Sequence, residues 1–306
     1  MRTPPAARAR LDPLEIRRLL RDEGLRARHA LSQNFLADPD VLEAILDEAG
    51  VGPGDRVLEI GPGLGVLTGA LLDAGASVTA VELDPRLAAL LRARFGPAVE
   101  RGAADPWAGG ALRLIEGDAL DQDLSSLVPA PYRVVANLPY HITSPILHRL
   151  LDDSPRPERL VLMVQWEVAE RIAAPPGRMS YLSVFVQYHA AVRIARRVPA
   201  EAFEPSPHVS SAVIVLEPHP PGGPASGLPP RVTDEAALWA LVQTGFRERR
   251  KMLRNVLGRQ LRVGQPRVDA ALAAAAIAGD RRPQTLGVGE WIALLEAFEA
   301  DGSPWS

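Results

Sequence analysis

The chain has 306 residues, enough for one large domain and a smaller one. Hydrophobic residues make up 47% and charged residues 23%, an ordinary balance for a folded chain, and no apolar run nears the roughly 20 residues that span a bilayer. It has no cysteine, which excludes disulfides, thiolate metal sites and methylation of a base carbon through a cysteine adduct.

The net charge of −3 conceals an uneven spread. Residues 1–31 hold eight Arg against four acids, and residues 246–262 hold six Arg and Lys251 against Glu248 alone. A basic patch on a mildly acidic chain suits a polyanion held in one place; a solvated helix face is the plainer reading. The arginines of the first stretch have no apolar core behind them, so no secretory signal is expected, and its four acids argue against a mitochondrial presequence. The expected location is cytoplasmic. The six histidines show no metal-ligand spacing, so no metal is expected.

In chain order, residues 13–24 predict a short helix ending at Gly24. Residues 28–36 carry amides and a hydroxyl and predict a loop. Asp38-Pro39 then supplies an N-cap and a first-turn proline to a helix whose buried face is Val41, Leu42, Ile45 and Leu46. The strand 56–60 runs into Gly61-Pro-Gly63-Leu-Gly65 and a helix. Strand, glycine turn and helix make a nucleotide-cofactor crossover in which Gly61 and Gly63 let the backbone approach the ligand. The spacing is G-x-G-x-G, unlike the G-x-G-x-x-G of dinucleotide enzymes. The next strand, 77–81, ends in Glu82, about 20 residues past the glycines, where an acid accepts from both ribose hydroxyls.

Residues 96–111 are expected to be a tolerated loop at the amino edge of the sheet. Strand 112–116 ends in Gly117-Asp118, a carboxylate placed to accept from an adenine amine. Strand 132–136 ends in Asn137-Leu138-Pro139-Tyr140. Pro139 cannot join a sheet ladder, so the strand stops and presents these residues at its carboxyl end, where ligands bind in open α/β sheets. An amide, a free carbonyl and an aromatic face are what the exocyclic amine of a flat base needs. The plain alternative is a strand end followed by a turn.

Strand 160–164 follows, then a helix over 165–173 broken by Pro175-Pro-Gly177, then a closing pair of strands, 192–196 and 212–216. Between that pair, Phe203 in a proline-stiffened segment either faces Tyr140 across a base or lies in the core. Residues 218–230 predict a linker, and helices follow it. A helix over 249–261, with Arg247 just ahead of it, puts Arg247, Arg250, Lys251 and Arg254 on one face at i, i+3, i+4 and i+7, a stripe suited to phosphates.

Taken together, Gln33-Asn-Phe-Leu36, Glu59-Ile-Gly-Pro-Gly63, Val81-Glu-Leu-Asp84, Gly117-Asp-Ala119, Asn137-Leu-Pro-Tyr140, Phe203-Glu-Pro-Ser-Pro207 and Arg249-Arg-Lys-Met-Leu-Arg-Asn255 resemble the KsgA-type rRNA adenine dimethyltransferases in identity and order. The resemblance runs from about residue 20 to 260. It implies an α/β fold: a Rossmann-like class I methyltransferase sheet with helices on both faces over residues 1–217, the linker 218–230, and a small all-helical RNA-binding domain over 231–306. It implies S-adenosylmethionine as cofactor, contacted by Asn34, Leu36, Gly61, Glu82, Asp118 and Asn137. It implies transfer of two methyls to N6 of each of two adjacent adenines near the 3′ end of small-subunit rRNA, on immature 30S subunits, by a monomer. In that chemistry the Asn137 side-chain oxygen and the Leu138 carbonyl accept the N6 protons, and Tyr140, with Phe203, stacks the base. Ser32, His141 and the long 96–111 segment depart from the family pattern and bear on substrate detail. The competing readings are a DNA adenine methyltransferase, which usually has Pro where Leu138 stands, a nonenzymatic ribosome-assembly factor, and a resistance methylase of large-subunit rRNA.

Overall fold

The computed structural model describes residues 11–22, 24, 34–220, 232, 234–261, 263–300 and 302. Residues 25–33, with Gln33 and Ser32, and 221–231, most of the expected linker, lie outside them. Two compact units result.

In chain order the elements begin with α1 (Pro13–Asp22), β1 (Phe35–Leu36), α2 (Pro39–Ala49), β2 (Arg56–Ile60), α3 (Val66–Asp73), β3 (Ser77–Glu82) and α4 (Pro85–Arg94). There follow α5 (Gly96–Ala104), β4 (Leu112–Glu116), α6 (Leu124–Leu127), β5 (Arg133–Asn137), α7 (Thr143–Asp152), β6 (Arg159–Gln165), α8 (Trp166–Ile172), α9 (Tyr181–His189), β7 (Ala190–Val198), β8 (Phe203–Glu204) and β9 (Ser211–Pro218). The N-cap of α2 is the one the sequence predicts. The Asp38 carboxylate accepts from the backbone N–H groups of Asp40 and Val41, and Gly50 ends α2 in the left-handed region.

The first unit, residues up to Ala169 with Val192–Pro218, is built on a seven-stranded sheet of order β4-β3-β2-β5-β6-β9-β7. Strands β4, β3, β2, β5 and β6 run parallel, and β9 pairs antiparallel with β6. The β2, β3, β5 and β6 runs are largely buried, as strands covered on both faces must be. The order turns back at β2: β3 and β4 lie on one side, β5 and β6 on the other. That reversal opens a crevice at the carboxyl ends of β2 and β5. A separate two-stranded ladder joins β1 to β8, with Leu36 opposite Phe203.

Two expectations for this unit fail. Residues 96–104 form α5 instead of a loop. Pro97 sits in the first turn, where proline fits a helix. Gly102 is present for space: a Cβ there would lie 2.3 Å from the Leu112 carbonyl oxygen of β4. The second failure is the domain boundary. Residues 170–191 group with the helical unit, not with the sheet domain.

That second unit comprises Glu170–Ala191 and the chain from His219 onward, with α10 (Glu235–Phe246), α11 (Leu253–Gln260), α12 (Gln265–Ala274) and α13 (Val288–Glu299). The helix α9 was not foreseen. Its β-branched and aromatic residues favour strand, but burial overrides propensity: Leu182, Val184, Phe185 and Val186 are all buried, and Ser180 with Ser183 closes a capping box at its start. Its core gathers Val184, Leu238, Leu241, Leu257, Trp291 and Phe298.

The helix expected over 249–261 begins only at Leu253. The chain turns after Phe246, with the Lys251 N–H donating to the Glu248 carbonyl at 2.8 Å, and Met252 enters α11 in extended geometry. Arg247, Arg250 and Lys251 are therefore in turns, and the one-face stripe with Arg254 does not exist.

Candidate active site

The crevice at the switch point is lined by nearly every residue the sequence singles out for cofactor or base: Asn34, Leu36, Gly61, Gly63, Glu82, Asp118, Asn137, Leu138 and Tyr140. All but Asn34, which immediately precedes β1, come from the carboxyl end of a strand or the turn after it. Gly63 has φ +58°, and a Cβ there would meet the Phe35 ring at 3.1 Å, so this turn admits only glycine. Its N–H donates to Glu82 Oε2 at 3.1 Å. The Asp84 N–H donates to Oε1 of the same carboxylate at 2.9 Å, which holds the Glu82 side chain at the tip of β3. Burial pushes the Glu82 pKa up, against those two backbone hydrogen bonds. Asp118 accepts from the Leu120 N–H at 2.8 Å through Oδ1 and keeps a second oxygen for a ligand.

Asn137 ends β5. Its Nδ2 donates to the Asn34 main-chain carbonyl at 3.3 Å. An amide whose nitrogen is used in this way presents its oxygen as acceptor. The Leu138 N–H donates to the Met163 carbonyl at 3.1 Å, which ties the next peptide to β6 while its side chain is buried. Pro139, at φ −56°, leads into a single tight turn, Tyr140–Ile142. The half-buried Tyr140 hydroxyl meets Ser211 Oγ at 2.8 Å.

Phe203 corrects the sequence reading. It is 2% exposed, lies in the hydrophobic cluster with Leu36, Val41, Ala202 and Val213, and does not line the crevice. The β1–β8 pairing turns it inward, so it does not stack opposite Tyr140 here.

Sequence reasoning also passed over Glu59. It is buried at 1% exposure, lines the same crevice, and accepts from Thr68 Oγ1 at 2.7 Å. Burial pushes its carboxyl up to about 8, and the Glu82 charge adds to this against the Thr68 hydrogen bonds. An acid at an inward strand position two residues before a glycine turn is the signal that would have found it.

Three acidic side chains therefore line the crevice, Glu59 in its protonated form at neutral pH, and no Lys or Arg does, among the described residues. A dinucleotide or nucleoside triphosphate needs cations or free N–H groups for its phosphates. This lining suits a nucleoside that carries positive charge, which is the character of S-adenosylmethionine.

In the second unit the basic run divides. Arg254 makes a bidentate pair with Asp269, and that guanidinium, helped by Gln265, holds the Asp269 carboxyl down at about 2. Arg247 donates to Gln260 at 2.8 Å, and Arg259 pairs with Glu248 at 2.8 Å. Arg249, Arg250 and Lys251 are exposed and make no ion pair among the described residues.

Fold and cleft define a Rossmann-like methyltransferase. A solved 23S rRNA methyltransferase, ErmE, superposes with a TM-score of 0.63 at 28% identity, over 87% of this chain and 100% of that one. A dimethyladenosine transferase from Plasmodium falciparum shares the fold with a TM-score of 0.67 at 24% identity, over 88% and 98%. The family model described as ribosomal RNA adenine dimethylase matches residues 24–298, and the chain belongs to that family. The ribosomal RNA small subunit methyltransferase A of Anaeromyxobacter sp. (strain K) is 40% identical over 291 residues, 91% of this chain and 95% of the relative.

Proposed function

We propose that this chain is an S-adenosylmethionine-dependent rRNA adenine dimethyltransferase that modifies N6 of two adjacent adenines near the 3′ end of small-subunit rRNA. One observation carries the reading: Asn137, at the end of β5, has its amide nitrogen engaged by Asn34, so its oxygen is turned to accept at the edge of an acidic nucleoside crevice.

The chemical difficulty lies in the adenine amine, whose lone pair is delocalised into the ring. When bound, the cofactor supplies an electrophilic methyl on a sulfonium. Asn137 Oδ1 and the Leu138 carbonyl accept the two N6 protons and favour a pyramidal nitrogen whose lone pair points at that methyl. Tyr140 stacks the extruded base. The methyl that a bound cofactor would supply would replace one N6 proton, which would leave to water, and the same residues would hold the amine for a second methyl. Positioning and fixed dipoles supply the catalytic effect, and no side chain acts as a strong base. Glu82 would take the ribose hydroxyls of the cofactor and Asp118 its adenine amine, and Gly61 and Gly63 would allow the close backbone approach.

The exposed Arg249, Arg250 and Lys251 contact rRNA phosphates in the immature 30S subunit. The protein works as a cytoplasmic monomer without a metal. No helix among the described residues is long and apolar enough to cross a membrane. The 40% identity to small-subunit methyltransferases, against 28% to the 23S enzyme, favours the small-subunit target. Mass spectrometry of rRNA from cells lacking the protein tests this: the adjacent adenines near the 3′ end of 16S rRNA should be unmethylated there and dimethylated in the parent. Dimethyladenine retained in both overturns the proposal.

A further inference from the structure

Strand β9 runs antiparallel to β6, so it begins at the sheet edge where β5 and β6 end. Its first residue, Ser211, pairs in register with Gln165, the last of β6. In the same ladders, Asn137 of β5 stands beside Met163 of β6, and Met163 beside Val213 of β9. Three adjacent hydrogen-bonded strands therefore carry the acceptor amide at one end and Ser211 at the other. The Trp166 N–H donates to the Ser210 carbonyl at 2.9 Å and pins the entry to β9.

Ser211 is fully buried and does not line the crevice. Its hydroxyl meets the Tyr140 hydroxyl at 2.8 Å, at the end of the ring farthest from the backbone. The near end is set by Pro139 and the tight turn after it. A ring held at both ends keeps its plane, which a ring held only through two side-chain torsions does not. Burial raises the Tyr140 pKa, so the phenol stays neutral, and either hydroxyl can donate to the other.

We propose that Ser211 is a positioning residue for the methyl transfer: it holds the Tyr140 ring in the plane that receives the target base, at a fixed offset from Asn137. This rests on the reading that Tyr140 stacks that base. Ser211 touches neither base nor cofactor. It acts through the ring, and the sheet sets the distance between stacking face and proton acceptor.

The test is a double-mutant cycle on the full-length protein, with small-subunit particles lacking the methylation as substrate. Ser211→Ala and Tyr140→Phe each remove the same bond while leaving a ring in place. Each should lower kcat/KM for RNA by roughly 10-fold, with cofactor affinity unchanged within about twofold, and the double variant should be no worse than either single. Ser211→Thr, which keeps the hydroxyl, should recover part of the loss. Multiplicative losses in the double variant, or native kinetics in Ser211→Ala, overturn the assignment. If Ser211→Ala does not fold, Tyr140→Phe carries the decision alone: native kinetics there removes any role for the bond. Tyr140→Ala separates the two levels. If it methylates normally, the stacking reading is lost; if it is impaired while Ser211→Ala is not, only the positioning role is lost.

Discussion

Asn137 Nδ2 hydrogen-bonds the main-chain carbonyl of Asn34, a residue 103 positions earlier in the chain. One amide therefore has its nitrogen committed to the protein, and in the proposed chemistry its oxygen is the acceptor for the substrate amine. Asn137→Ala removes both. Methylation should fall by roughly 100-fold or more, the scale for losing one preorganised polar contact at a transition state. Asn137→Asp should fare no better, because a carboxylate oxygen would face the Asn34 carbonyl oxygen. RNA binding by filter retention should persist. Full turnover in either variant sinks the acceptor role.

Glu59 makes a pH prediction. Burial pushes its folded pKa up to about 8 from the ordinary 4.5. The folded protein thus binds a proton there that the unfolded chain releases. The sign follows: below about pH 4.5 both states are protonated and nothing is lost, and stability then declines as pH rises through about 8. Glu59→Gln keeps an acceptor for Thr68 and removes the titration. It should gain on the native protein by on the order of 3 kcal/mol at neutral pH, with the difference vanishing in acid. Urea midpoints from pH 4 to 9 read this, and parallel curves for the two proteins would contradict it. A bound cation favours the ionised carboxyl, so cofactor affinity of the native protein should rise with pH over the same range and that of Glu59→Gln should not.

The basic turn should behave residue by residue. Arg250→Ala and Lys251→Ala, which remove unpaired charges, should each weaken RNA binding and reduce the salt slope of log K by roughly 1. Arg247→Ala and Arg254→Ala, whose guanidiniums already hold Gln260 and Asp269, should reduce it less. Equal slopes across the four variants would restore the even stripe that the sequence suggests.

Phe203 separates core from site. Fully buried beside Leu36 and Val213, it should cost roughly 3–5 kcal/mol of stability when cut to Ala. Phe203→Leu should cost less and, below its melting temperature, keep native kcat. A kcat loss in Phe203→Leu with an unchanged melting point would return this ring to the substrate.

Much of the site is legible along the chain because it is made of strand ends. A strand, a glycine turn and an acid some 20 residues later are local patterns, and Pro139 after Asn137 marks its own strand end. Their chemistry follows from residue type, and the doubly wound sheet brings the carboxyl ends of its parallel strands to one edge. The caps at Asp38 and Asp84 are equally local.

Whatever depends on a partner distant in sequence was decided by tertiary structure. Residues 96–104 read as a loop until Gly102 is seen against Leu112. The strand-like residues of α9 become helix because a core surrounds them. Phe203 turns inward because β8 pairs with β1, and Ser211 reaches Tyr140 because β9 runs back along β6. The basic run loses its helical phase at a turn, and Asp269 and Gln260 claim two of its cations. Local pattern determined which chemical groups stand at the sheet edge; packing decided which way each one points, since orientation depends on neighbours that only the folded chain supplies.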